Sequence, residues 1–178
     1  MVSLNFFFIF LVVLFAVIGA MRGWAKELLV TFAVILGIFI ITVLERYVPA
    51  VYNSFAVPGS RSQFWMRSII MIVLVFFGYQ TPNLPRLGST RFARERLQDT
   101  LLGFFLGAFN GYLIIGTLWL FLHQAGYPFP YITPPVAGTE SGDAALRMLS
   151  WLPPRWLGPP IIYFAIAVAF LFVLVVFL

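Results

Sequence analysis

The chain has 178 residues, a formal net charge of +5, 62% hydrophobic residues and only 10% charged residues. An ordinary soluble domain is about 25% charged, so the composition excludes that class and indicates a polytopic membrane protein. The sequence has no cysteine, which excludes disulfides, thiolate nucleophiles and iron–sulfur sites, and its basic residues form no nucleic-acid-binding motif.

Five apolar segments predict an all-α integral membrane protein with about five transmembrane helices, because a helix needs about 20 residues to cross the hydrocarbon core. The first segment lacks a basic leader and is longer than a signal-peptide core, so we expect it to stay attached. The third is the weakest, because Arg67 lies in its first turn and has to snorkel to the interface. The segments are residues 2–20, 28–44, 64–79, 100–122 and 160–178.

Basic residues in two predicted connections suggest an orientation. Arg22 and Lys26 lie in the first connection, and four arginines lie in the third. By the positive-inside rule both loops are cytoplasmic, which predicts an outside N-terminus and an inside C-terminus. The four arginines either set the topology alone or also contact anionic lipid headgroups or a cytoplasmic partner. They are Arg86, Arg91, Arg94 and Arg96.

Two carboxylates bracket the second segment. Glu27 lies in the first turn of this predicted helix, where it suits the positive end of the helix dipole, and Glu45 follows the segment. We expect neither of them at membrane depth.

The fourth segment carries a ladder of small residues. Gly103, Gly107 and Gly111 are four residues apart and fall close to one helix face, which Asn110 and Thr117 share. Small residues at this spacing let helix backbones approach closely in lipid, so the face predicts helix packing, either within the chain or against a neighbour. Asn110 lies near mid-span, where an interhelical hydrogen bond is favoured over a ligand or transport pathway.

Residues 123–159 form a Pro-rich loop that holds seven of the twelve prolines. A short amphipathic helix is predicted inside it, with the apolar residues of 145–152 on one side, Ser141 as its cap and Pro153 at its end. This helix either lies flat in the outer membrane interface or packs on the ends of the bundle.

The sequence gives no sign of an enzyme. His123 is the only histidine, so neither a multi-histidine metal site nor a conventional triad is possible, and we expect a capping or interfacial role for it. No phosphate-binding, dinucleotide-binding or hydrolase motif occurs. No intrinsic cofactor is expected, although grooves lined by some of the 21 phenylalanines suit a lipid, a quinone or a carotenoid.

Two stretches of the sequence share the pattern of one protein family. In the run IGAMRGWAKELLVTFAVILG, residues 18–37, a charged turn joins two spans. In the run DTLLGFFLGAFNGYLIIGTLWLFL, residues 99–122, an aspartate precedes a glycine-spaced span. The first run resembles the first hairpin of the colicin V production protein (CvpA) family, and the second is similar to a later signature of the same family. The matching positions are Arg22, Gly23, Trp24, Lys26 and Glu27 in the first run and Asp99 in the second.

The chain also departs from the family pattern. Asn5 stands where members often have aspartate, and the fifth apolar segment follows the four spans that are common in the family. We therefore predict a CvpA-like four-helix core at 1–122, an extracytoplasmic loop at 123–159 and an added transmembrane helix at 160–178.

The resemblance implies a bacterial inner-membrane protein tied to toxin production or export and to the envelope. The leading hypothesis is a non-catalytic protein that works in the bilayer by helix packing and by contact with other membrane subunits, identical or different. One alternative is an accessory subunit of a large respiratory or photosynthetic complex. Another is a small transporter.

Overall fold

The fold is all-helical across residues 4–54, 59–80 and 93–177, which are the residues described in a computed structural model. No strand occurs in these ranges, which confirms the predicted fold class. The helices are α1 (Leu4–Arg22), α2 (Trp24–Tyr47), α3 (Pro49–Ser54), α4 (Arg61–Tyr79), α5 (Ala93–Gln124), α6 (Glu140–Leu149), α7 (Pro153–Trp156) and α8 (Ile161–Phe177).

Four of these helices, α1, α2, α4 and α5, are long and apolar enough to cross a membrane. The apolar helix α8 has 17 residues, about 26 Å, which is a little less than the hydrocarbon thickness of about 30 Å. The prediction of four core spans and an apolar fifth helix is therefore confirmed. Helix α5 has 32 residues and begins before the predicted segment, because the polar residues ahead of Thr100 continue the same helix.

Helices α2 and α5 form the centre of the bundle. Helix α5 contacts α1, α2, α4 and α7, whereas α2 contacts α4, α5 and α8. The buried core between them is apolar, with Val34, Ile38, Met71 and Leu113 among its members. We call the end of the bundle at the α1–α2 connection the turn end, and the opposite end, where residues 123–159 lie, the loop end.

Helix α6 begins two residues earlier than predicted. Thr139, with an extended backbone, is its N-cap, and its Oγ1 accepts a hydrogen bond from the Gly142 N–H at 3.1 Å. Ser141, the predicted cap, lies inside the first turn. Pro153 does not end α6 but begins α7, a position that suits proline because the first helical turn needs no amide donor there.

The apolar side of α6 packs on the bundle. Ala145, Leu149 and Leu152 are buried in a cluster with Phe8 of α1 and Trp119 of α5. Of the two arrangements that the sequence allowed for this helix, the structure has the one packed on the loop ends of α1 and α5.

Candidate functional site

The glycine face of α5 packs against α1 of the same chain. A Cβ placed on Gly107 would lie 2.8 Å from the Gly19 Cα, and one placed on Gly111 would lie 3.1 Å from the Val12 Cα. Gly103 faces the backbone of Gly19 in the same way. The partner residues run backwards along α1 as α5 advances, so the two helices are antiparallel. We call this contact the glycine seam; it brings two backbones together as small residues permit in lipid.

The two sequence runs that resemble the CvpA family meet at the turn end. Gly23 has φ +85°, a conformation that favours glycine, and a Cβ there would lie 2.7 Å from the Asp99 Oδ1. The Trp24 N–H donates to the same oxygen at 3.2 Å. Asp99 therefore satisfies an amide at the start of α2 that the helix itself leaves free, and it places negative charge at the positive end of the dipole.

A buried polar cluster lies beside the glycine seam. Glu27 is 0% exposed, and its Oε1 accepts from the Arg22 Nη1 at 2.5 Å. The Asn110 Nδ2 donates to the Glu27 Oε2 and to the Glu27 carbonyl oxygen, both at 2.8 Å. The Thr31 Oγ1 donates to the Asn110 Oδ1 at 2.7 Å. We call these four residues the polar cluster; its carboxylate is both paired and hydrogen-bonded, as a buried charge requires.

Glu27 is buried in the first turn of α2. The structure places it against Asn110, the residue predicted near mid-span. The expectation that Glu27 lies outside membrane depth stays a prediction.

Helix α4 joins the polar cluster through Tyr79. The Arg22 guanidinium lies over the Tyr79 ring, 4.2 Å from its centroid, and Arg22 Nη2 donates to the Tyr79 carbonyl oxygen at 3.2 Å. Arg22 thus connects the end of α4 to α1 and α2. A cation over an aromatic face contributes most where water is excluded.

A second ion pair lies at the loop end. Arg67 donates to both carboxylate oxygens of Glu45, from Nε at 2.6 Å and from Nη2 at 2.7 Å. Its Nη1 donates to the Gln124 Oε1 at 2.5 Å, and the guanidinium lies 5.3 Å from the centroid of Phe121. These contacts hold Arg67 of α4 against α2 and α5, and its predicted snorkelling to the interface stays a prediction.

Other predicted residues stand apart from these two clusters. Thr117 is fully buried on α5, the side chain of Lys26 is half-buried, and Arg96 is exposed. The His123 ring packs 5.8 Å from the ring of Tyr127 at the loop end. Arg86 and Arg91 lie outside the described residues, as does the side chain of Arg94.

Several residues of the site were missed from the sequence. Gly19 precedes Gly23 by four residues, so its small-residue spacing was a usable signal. Thr31 follows Glu27 by four residues and shares its helix face, which was a second signal. The role of Tyr79 had no local signal, because its partner lies 57 positions away in the chain.

The polar cluster contains one carboxylate, that of Glu27, which is paired with Arg22. Within residues 4–54, 59–80 and 93–177, no three His, Cys, Asp or Glu residues are placed to hold a metal ion. An open cleft of about 630 Å³ lies elsewhere, where Tyr112, Trp151 and Trp156 line the surface at the loop end. The Tyr112 hydroxyl donates to the Trp151 carbonyl oxygen and accepts from the Trp156 Nε1.

Comparison with known proteins gives one match. The family model described as colicin V production protein matches residues 4–135, which include the glycine seam, the polar cluster and the second ion pair. No curated protein and no solved structure matches the chain. Because the matched region covers well over half of the sequence, the chain belongs to the colicin V production protein family, a family of membrane proteins.

Proposed function

We propose that this multi-pass membrane protein is a non-catalytic component of the bacterial inner membrane that serves toxin production or export through contacts with other membrane proteins. The observation that carries the proposal is the glycine seam. The glycine face of α5 is already covered by α1 of the same chain. Partners therefore cannot bind at the glycine seam, and we expect them to contact the exposed helix faces instead.

Those faces are aromatic and apolar. Phe105 on α5 is 66% exposed and Phe164 on α8 is 71% exposed. Helix α8 packs on α2 and leaves most of its surface uncovered, which suits a helix that also contacts a neighbouring subunit. Large phenylalanine side chains provide the area that helix contacts within lipid require.

Site-specific photo-crosslinking tests the partner contacts. Benzoyl-phenylalanine is placed at Phe105 or Phe164, with the buried Phe8 as the matched control, and the cells are irradiated before mass analysis. We expect protein adducts from the two exposed positions and none from Phe8. An adduct of twice the chain's mass identifies a second copy, and any other mass identifies a different subunit. Adducts with lipid alone at both exposed positions would contradict the proposal.

An accessory subunit of a larger energy-converting complex is the second candidate. The aromatic cleft at Tyr112, Trp151 and Trp156 favours it, because flat or polyene ligands bind between such side chains. Crosslinks to large respiratory or photosynthetic subunits, together with a quinone or carotenoid in the lipid extract, are the outcome that selects this candidate over the first.

The proposed orientation places the turn end in the cytoplasm, with the N-terminus outside and the C-terminus inside. The chain lacks cysteine, so Arg96→Cys and Tyr131→Cys each introduce a single thiol at an exposed position on opposite ends. In spheroplasts we expect a membrane-impermeant maleimide to label Tyr131→Cys, and to label Arg96→Cys only after permeabilisation. The reverse pattern would show the opposite orientation.

A further inference from the structure

Two carboxylates share one face of α2; Glu27 is fully buried, whereas the side chain of Glu45 is 18% exposed. Glu27 and Glu45 are 18 residues apart, which is about five full turns and about 27 Å of helix. Each carboxylate is paired with an arginine from a different helix, Arg22 on α1 or Arg67 on α4. The two ion pairs therefore stand at opposite ends of one line through the bundle.

A stripe of polar residues on α5 connects these ends. Asn110, Thr117 and Gln124 recur every seven residues, so they fall close to one face of the helix. Asn110 donates to Glu27, and Gln124 accepts from Arg67. Thr117 thus occupies the middle of a stripe whose two ends reach the two ion pairs.

Two buried hydroxyl groups on α4 and α5 lack hydrogen-bond partners among the described residues. Thr117 is 0% exposed and Ser68 on α4 is 2% exposed, and within the described part of the chain neither hydroxyl has a hydrogen-bond partner. Thr31 and Thr42 behave differently, since the Thr31 Oγ1 donates to the Asn110 Oδ1 and the Thr42 Oγ1 donates to the Ile38 carbonyl oxygen. A buried polar group without a partner destabilises the fold, so these two hydroxyls call for an explanation.

A hydroxyl group both donates and accepts hydrogen bonds, which is what a proton relay needs. Ser68 follows Arg67 directly, and Thr117 lies about one helical turn from Phe121, over which the Arg67 guanidinium sits. Both hydroxyls are therefore placed towards the loop end of the line. A third buried hydroxyl without a partner, that of Tyr79, lies at the turn end beside Arg22.

The surroundings of the line are apolar. Asn110 and Thr117 are seven residues apart, about 10 Å along α5, and the buried apolar cluster of the bundle includes Val34, Ile38 and Leu113. A proton can move along such a path, because hydroxyls and water molecules pass it on without carrying a metal ion through.

We propose that the seam between α2, α4 and α5 conducts protons across the membrane between Glu45 and Glu27. A proton binds the Glu45 carboxylate and loosens its pairing with Arg67. It then passes through water and the hydroxyls of Ser68 and Thr117 to the Glu27 carboxylate, which releases it at the turn end. One proton enters and one leaves, both carboxylates return to their starting state, and the electrochemical gradient drives the flow. This activity goes beyond the proposed contacts with partners and does not depend on them.

Proton flux into liposomes tests the proposal. The full chain is reconstituted with pyranine inside the vesicles, and a potassium gradient with valinomycin sets the voltage. We expect wild-type vesicles to acidify faster than protein-free vesicles, and Thr117→Val to lower the protein-dependent rate about tenfold, the effect of removing about 1.4 kcal/mol of stabilisation from the transfer step. Glu27→Gln is expected to abolish the protein-dependent rate.

Thr42→Val is the matched control, because it removes a threonine hydroxyl that is already bonded to its own helix. We expect its flux to equal that of the wild type. Thr117→Val replaces a hydroxyl without a partner by a methyl group of similar shape, so the variant should keep the wild-type elution volume in detergent. Wild-type flux no faster than that of protein-free vesicles, or equal flux from the Thr117→Val and wild-type proteins, would overturn the proposal.

Discussion

Replacing Gly107 by leucine is expected to separate α1 from α5 and to destabilise the folded bundle by about 3 kcal/mol or more, at the upper end of overpacking penalties. A Cβ at this position would already lie 2.8 Å from the Gly19 Cα and would contact the Phe15 carbonyl oxygen. Both neighbours are backbone atoms, which cannot rotate away as a side chain can. The helices must therefore move apart, and Gly103 and Gly111 then lose their contacts as well.

The free energy of unfolding in mixed micelles, followed by the fluorescence of the five tryptophans, measures this effect. Gly158→Ala is the control, because a Cβ there meets only the Pro154 carbonyl oxygen at 3.5 Å, an ordinary contact. Its expected change is within about 0.5 kcal/mol. Gly107→Ala should also destabilise, although alanine raises helix propensity by about 1 kcal/mol. If the free energy of unfolding of Gly107→Leu equals that of Gly158→Ala, then α1 and α5 do not pack through the glycine seam.

Features that repeat along a helix could be predicted from the sequence. The apolar length of each span and the four-residue spacing of Gly103, Gly107 and Gly111 are local patterns, and both correspond to helices of the structure. Helix ends were predicted less well, because they depend on single capping groups. Ser60 starts α4 by accepting from the Gln63 N–H, three residues before the apolar segment, and Thr139 does the same for α6.

The candidate site depends on contacts between distant parts of the chain. Asp99 and Trp24 are 75 positions apart, and Asn110 and Glu27 are 83 positions apart. The resemblance to a family pointed to both runs. No local pattern, however, indicated that Asp99 would accept a hydrogen bond from the Trp24 N–H at the start of α2. The partners of Arg67 could not be predicted for the same reason. Glu45 follows one span and Arg67 lies in the next, and no periodic pattern relates the two positions.

Replacing Glu27 by alanine is expected to cost about 3–5 kcal/mol of unfolding free energy, the range found when one partner of a buried ion pair is removed. Within the described part of the chain, the Arg22 guanidinium would keep the ring and the carbonyl oxygen of Tyr79 as partners. The Asn110 amide would keep the backbone carbonyl oxygen of residue 27 but lose the carboxylate. Glu95→Ala, at an exposed position near the start of α5, is the control, with an expected change within about 0.5 kcal/mol.

A double-mutant cycle separates the ion pair from the loss of packing. If Arg22 and Glu27 act together, the loss in the double variant Arg22→Ala/Glu27→Ala should be smaller than the sum of the two single losses, by about 1 kcal/mol or more. The reason is that removing Glu27 leaves an uncompensated charge, which removing Arg22 then eliminates. Additive losses would mean that the two side chains stabilise the bundle separately, and that the 2.5 Å contact between them contributes nothing of its own.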